Sequence, residues 1–278
     1  MKVLVIGAGG MLGYITYQYL KEQGYQVTGI TRTKEYPDMI RMDVTDVSAI
    51  GPFLEKTHFD AIINCAALLV KVCEERKSDA VKLNTWFPHF LEEFCRRSQT
   101  YLIQVSTDAV FSGKRGSYRE DSPCDPDSFY GKSKLLGEVS DGYALTVRSA
   151  FWGADINQSG KGIFQWFVRQ KDSIQGYTKA FFNGVSNLEF AKFADLSLKN
   201  RCTGIYHLCA LDVISKFDFL ILQKHIFSKQ TEIIADGQVA VDRSLICGRS
   251  DIDYRQKAFY EMMIELKEWL PTKGEFTV

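Results

Sequence analysis

The chain has 278 residues, 34 Lys and Arg against 34 Asp and Glu, and 45% hydrophobic residues. Balanced charge offers no electrostatic grip on nucleic acid or an anionic membrane surface, and no apolar stretch reaches the uninterrupted length of a membrane span. Seven cysteines without CxxC spacing read as reduced thiols of a cytoplasmic protein, Cys65 and Cys209 as core packing, and four scattered histidines without HExxH indicate no metal site.

Residues 1–31 read as strand, glycine turn, helix, strand. Val3–Ile6 is a short branched apolar run, as a strand buried on both faces should be, and it yields to glycines too soon for a signal peptide. Gly7 permits a tight exit from that strand, Gly10 lets the backbone approach a pyrophosphate, and Gly13 lets the helix sit against the sheet. The first helical amides, those of Met11 and Leu12, then point at the phosphates. A second strand spans Gln26–Thr31, and a third ends near Met42 and Asp43. A helix over Thr45–Lys56 starts at Thr45 or Asp46 as its cap. Asp60–Asn64 reads as a strand, Asp79–Arg97 as a long amphipathic helix and Tyr101–Ser106 as the fifth strand. A polar loop over 112–129 precedes a helix over Tyr130–Val139 and a strand over Tyr143–Arg148.

This alternation predicts an α/β fold, a Rossmann-type doubly wound parallel sheet, over residues 1–153. Beyond it the alternation decays. Gly162–Arg169, Glu189–Asn200, Ile205–Cys209 and Gln256–Leu270 read as helices and one strand packed over the carboxyl edge of the sheet. They predict a small C-terminal substrate-binding lobe over 154–278, with later segments returning to the sheet.

Cofactor choice turns on the end of the second strand. An NAD site wants an acid there for the ribose 2′-hydroxyl. The stretch Gly29–Lys34 offers none before Glu35. Arg32 could instead clamp a 2′-phosphate, Thr31 or Thr33 could donate to it, and Lys34 adds charge. NADP(H) is therefore expected, with NAD(H) as the alternative.

Tyr130 and Lys134 lie four apart at a helix start, hence on one face. An unperturbed phenol titrates near pH ~10, and a cationic lysine beside it is expected to lower that value and make Tyr130 a usable acid or base. Ser106 and Thr107 close the fifth strand, where a parallel sheet places its ligands. Thr107 could hydrogen-bond a substrate carbonyl while Tyr130 protonates it.

GAGGMLG at 7–13, NCAA at 64–67, STDAVFSG at 106–113 and YGKSKLLGE at 130–138 resemble the extended short-chain dehydrogenase/reductase family. Within it the pattern is most similar to the dTDP-4-dehydrorhamnose reductases, in register over about residues 1–153. The resemblance implies hydride transfer from NAD(P)H to a 4-keto nucleotide sugar in polysaccharide biosynthesis, with Thr107, Tyr130 and Lys134 as the catalytic set. It implies that Lys134 also bonds the nicotinamide ribose, that Asn64, Ala66, Ala67 and Ser106 line the cofactor, and that Asp43 and Val44 meet the adenine. Asp108, Trp152 and Asn183 are the implied substrate contacts, and a homodimer is among the expectations.

The 4,6-dehydratases of the family usually read Thr-Asp-Glu where this chain has Ala109, so dehydration is not expected. The alternatives are a nucleotide-sugar epimerase and a non-catalytic NADP-binding regulatory subunit, since the methionine adenosyltransferase beta subunit resembles the same branch. The match weakens in the C-terminal half. FFNGVSNLEFAKFADL at 181–196 stands where reductases carry Asp-Gln-x-Gly-x-Pro-Thr. In VDRSL at 241–245, Arg243 could pair with a diphosphate or be a surface arginine.

Overall fold

A computed structural model describes residues 1–32, 36–140, 142–157, 160 and 162–270. Its strands are β1 (Lys2–Ile6), β2 (Gln26–Thr31), β3 (Met39–Arg41), β4 (Ala61–Asn64), β5 (Tyr101–Val105), β6 (Ala144–Arg148), β7 (Ile174–Phe182), β8 (Gly204–His207), β9 (Ile214–Ser215) and β10 (Ile233–Asp242). Seven of them form one parallel sheet of order β3-β2-β1-β4-β5-β6-β8. Strands β4, β5 and β6 are buried along their whole length, as their Ala, Ile, Leu and Val content requires of a sheet covered on both faces. The strand order reverses between β1 and β4, which opens a crevice at their carboxyl ends.

The helices are α1 (Met11–Glu22), α2 (Val47–Lys56), α3 (Val70–Glu75), α4 (Lys77–Ala80), α5 (Phe87–Ser98), α6 (Phe129–Leu135), α7 (Ile163–Val168), α8 (Asn187–Asn200), α9 (Lys216–Ile226) and α10 (Phe259–Trp269). Two hydrophobic cores cover the two sheet faces, one built on α1, α8 and α10 and the other on α2 and α5. Asp46 caps α2, its side chain accepting from Ser48 N at 3.0 Å. The helix expected over Asp79–Arg97 is a continuous run of α4, a π-helical segment Val81–Trp86, and α5. Helix α6 ends at Leu135 rather than Val139. The chain turns there so that Val139 can exchange backbone hydrogen bonds with the Thr146 hydroxyl.

Two expectations for the C-terminal half are corrected. The strand expected at Ile205–Cys209 is β8. It extends the main sheet beside β6 instead of lying over the sheet's edge. A second, three-stranded sheet of order β10-β7-β9, backed by α9, stands where no strand was read. The even-numbered residues Ile174, Ala180 and Phe182 of β7 are buried, and Gln175 and Lys179 are exposed. Among the described residues no helix is long and apolar enough to cross a membrane, and no cluster of His, Cys, Asp and Glu could hold a metal.

Candidate active site

A cleft of about 280 Å³ opens at the crevice between β1 and β4. Gly7 and Gly10 line it, with Thr31 and Arg32 from the end of β2, Asp43 and Val44 after β3, and Ala66 and Ala67 after β4. Gly7 adopts φ +79°, and a Cβ there would press on the backbone of Ala66 at 2.9 Å. Gly13 lets α1 pack against the Gly7 carbonyl, where a Cβ would collide. Gly10 is different: a Cβ there would meet nothing closer than the Gly7 carbonyl at 3.4 Å. Met11 and Leu12 open α1; neither lines the cleft, and the Leu12 side chain is buried in the core.

Asn64 is fully buried. It donates to Gln104 Oε1 at 2.8 Å and accepts from Ala66 N at 3.2 Å, shaping the turn that presents Ala66. Asp43 loses solvation by partial burial. Hydrogen bonds from Thr45 N and Oγ1 and the nearby charges of Arg32 and Lys82 nevertheless hold its carboxyl below the usual range. Thr33, Lys34 and Glu35 lie outside the described residues. Asn157, which sequence reading missed, crosses from the C-terminal half to donate to Gly9 O at 3.0 Å.

The Thr107 hydroxyl stands beside the Tyr130 phenol at the end of β5 and donates to Asp108 Oδ1 at 3.2 Å. It also accepts from Ala109 N at 3.2 Å. Ser128 caps α6 through Gly131 N at 3.1 Å. Gly131 has no room for a side chain, because a Cβ would strike the Ala109 carbonyl. The helix carrying Tyr130 is thus pressed directly on the Thr107–Ala109 turn. Asn84, in the π segment, was not foreseen. It donates to Leu68 O and to Ser133 Oγ and so ties that segment to α6.

The expected lowering of the Tyr130 pKa is not what the structure shows. Desolvation dominates and, with Asp108 and Cys73 nearby, pushes the phenol up to about 12 despite the neighbouring Thr107 hydroxyl. Lys134 is itself buried, which brings its ammonium down to about 8, and it donates to Val105 O at 2.6 Å. At neutral pH both groups therefore carry their protons. The Ser106 hydroxyl donates to Glu138 Oε1 at 2.6 Å.

Of the expected substrate contacts, Asp108 and Arg243 stand at the site. Asp108 is desolvated enough to raise its pKa although the charges of Arg243 and Lys216 oppose the shift. Arg243 donates from Nε to Phe111 O at 3.0 Å and pairs with Asp127 Oδ1 at 3.3 Å. Trp152 and Asn183 are corrected. The Trp152 ring is buried among Phe164, Phe219 and Phe259, with its indole N–H on Gly184 O. Asn183 is 4% exposed and its amide spans the backbone N–H and C=O of Leu245, both at 2.8 Å. Neither has a free polar atom to offer a substrate. A second cavity, of about 570 Å³, opens beside Lys216 and is walled by Trp166, Tyr177, Gln175 and Ile163. No pattern in the sequence marked it, since β7 and α9 were not read as elements.

The model of the RmlD substrate binding domain family matches residues 1–149. The chain belongs to this family. It is thereby a member of the extended short-chain dehydrogenases/reductases, an oxidoreductase family. It is 35% identical over 233 residues to the probable low-salt glycan biosynthesis reductase Agl14 of Haloferax volcanii, covering 79% of this chain and 78% of that protein. It is 31% identical to the methionine adenosyltransferase 2 subunit beta of Danio rerio over 78% of this chain and 71% of the relative. Among solved structures, a hypothetical dTDP-4-dehydrorhamnose reductase from Sulfolobus tokodaii superposes with a TM-score of 0.78 at 28% identity, covering 88% of this chain and 92% of the other. The chain spans about half the length of several other curated relatives, 47% and 43% in two cases. The RmlD match ends where the corrected residues begin: Trp152 and Asn183 both lie beyond it.

Proposed function

We propose that this RmlD-family chain is an NADPH-dependent reductase of a 4-keto nucleotide sugar. The observation that carries the reading is the Thr107 hydroxyl standing beside the Tyr130 phenol at the carboxyl end of β5, with Lys134 one helical turn along. Ala109 supports reduction over dehydration, because the position next to Asp108 holds no acid.

A dinucleotide fits the cleft. Packing inside the chain does not require glycine at position 10, so the open space above it is available to a pyrophosphate. Arg32 at the rim suits a 2′-phosphate, and Thr31 rather than an acid ends β2. When bound, the nicotinamide supplies the hydride. Tyr130 holds its proton at neutral pH and gives it to the carbonyl oxygen as that oxygen gains charge. Thr107 orients the same oxygen through its hydroxyl, and the ammonium of Lys134 favours the phenolate left behind. The cavity beside Lys216 suits the nucleotide end: Trp166 and Tyr177 on its wall offer aromatic rings to a base, Lys216 offers a cation to a diphosphate, and the charge of Arg243 lies close to Lys216.

The test is NADPH oxidation with a panel of 4-keto nucleotide sugars, and turnover with at least one is expected. The match to the Danio rerio beta subunit over 78% of the chain favours a second reading, a regulatory subunit. NADPH binding without turnover on any panel member, together with a stable protein partner, would put that reading first.

A further inference from the structure

Beneath the site lies a buried ion pair that the proposed reaction does not use. Glu138 and Arg148 have side chains only 7% and 4% exposed. Arg148 grips Glu138 with two bonds, Nε to Oε1 at 2.8 Å and Nη2 to Oε2 at 2.7 Å. The same Oε1 accepts the Ser106 hydroxyl at 2.6 Å, and Ser106 immediately precedes Thr107. Glu138 also follows Lys134 by four residues, and its charge is the foremost one favouring the ammonium of Lys134. Cys65 after β4 and Cys73 on α3 are the other titratable groups facing Lys134. On its far side Arg148 meets His207 Nε2 at 3.3 Å and Glu120 O at 3.3 Å, and it lies close to Cys124. His207 is held neutral, because burial pushes it down to about 4.

Burying such a pair gains little stability over a well-packed apolar pair. Its placement does something an apolar pair could not. One carboxylate bonds the strand end that carries Thr107, and its charge also acts on the ammonium of Lys134. We infer that Glu138 is a positioning residue: clamped by Arg148, it sets where Thr107 stands through Ser106 and holds a negative charge in the neighbourhood of Lys134.

The inference rests on the reductase reading for its kinetic part, but the titration of Lys134 can be read without any substrate. NMR of the full-length protein with isotope-labelled lysine, assigned by Lys134→Met, follows that titration. In Glu138→Gln the Lys134 midpoint should fall by about one pH unit, whereas Glu138→Asp, which keeps the charge, should restore it. If Glu138→Gln does not fold with Arg148 unpaired, the double variant Glu138→Gln/Arg148→Gln carries the same measurement and the same expected direction. Ser106→Ala should leave the midpoint in place and lower kcat at least tenfold with little change in the Kd for NADPH. An unmoved Lys134 midpoint in a folded Gln variant would overturn the charge role. Native kcat in Ser106→Ala would overturn the positional one. If no 4-keto sugar is turned over at all, the reductase reading fails while the titration still decides the role of Glu138 on Lys134.

Discussion

Asn183→Ala separates a structural clamp from a substrate contact. The Asn183 amide satisfies the backbone N–H and C=O of Leu245, both at 2.8 Å, in a site where Asn183 is 4% exposed and Leu245 also 4%. Truncation leaves a buried donor and a buried acceptor without partners, at about 1–3 kcal/mol each. With some relief from water entering the vacated space, the loss is about 3 kcal/mol. Unfolding entropy near ~2.1 cal/mol/K per residue makes each kcal/mol worth roughly 2 °C in a chain of 278 residues. Calorimetric melting of the variant should therefore show Tm lower by roughly 5 °C. Below its Tm, the KM for the sugar should stay within about twofold of native, because the amide has no free atom to give a ligand. A native Tm with a KM raised tenfold or more would refute the clamp and restore Asn183 to the substrate.

Three further outcomes follow from the site. Gly10→Val places its side chain in open cleft rather than against protein, so NADPH affinity should fall at least tenfold by titration calorimetry with Tm unchanged; unchanged affinity would remove the pyrophosphate from that loop. Arg32→Ala should weaken NADPH by about 10–150-fold, the worth of a lost charge-assisted bond, and leave NADH nearly unaffected; equal native affinities for the two cofactors would defeat the assignment. Lys134 keeps its proton below about 8 and loses it above, while the Tyr130 phenol stays protonated to about 12. The kcat profile should therefore fall as pH rises through about 8, and a plateau extending to pH ~10 would mean that Lys134 charge is not needed.

The first half of the fold was legible because its strands are buried on both faces. Runs such as AIIN at 61–64 and YLIQV at 101–105 can be little else between helices with a single apolar stripe. The second half was not. In β7 the apolar and polar residue types do not alternate, since Gly176 stands at a buried position, Tyr177 and Thr178 are both half-buried and Phe181 is exposed, and β10 is mostly exposed, so neither shows a clear period in the sequence. Motif residues marked the helix and the strand end on which Thr107, Tyr130 and Lys134 stand. Their protonation depends on how deeply the helix is pressed into the sheet edge, which residue spacing does not encode. Trp152 and Asn183 show the same limit. Both types are common in ligand sites, and only packing reveals that one fills a core of phenylalanines and the other spans a backbone. Asn84, Asn157 and Lys216 act through contacts distant in sequence and carried no local signal.

The central claim is that the Tyr130 phenol delivers the proton while hydride reaches the keto carbon. Tyr130→Phe removes the hydroxyl and keeps the ring. Steady-state NADPH oxidation with the best 4-keto nucleotide sugar of the panel should then drop by about 10²–10⁴ in kcat, with the Kd for NADPH unchanged, as expected for loss of a positioned acid. A Phe variant that oxidises NADPH at the native rate would contradict the account.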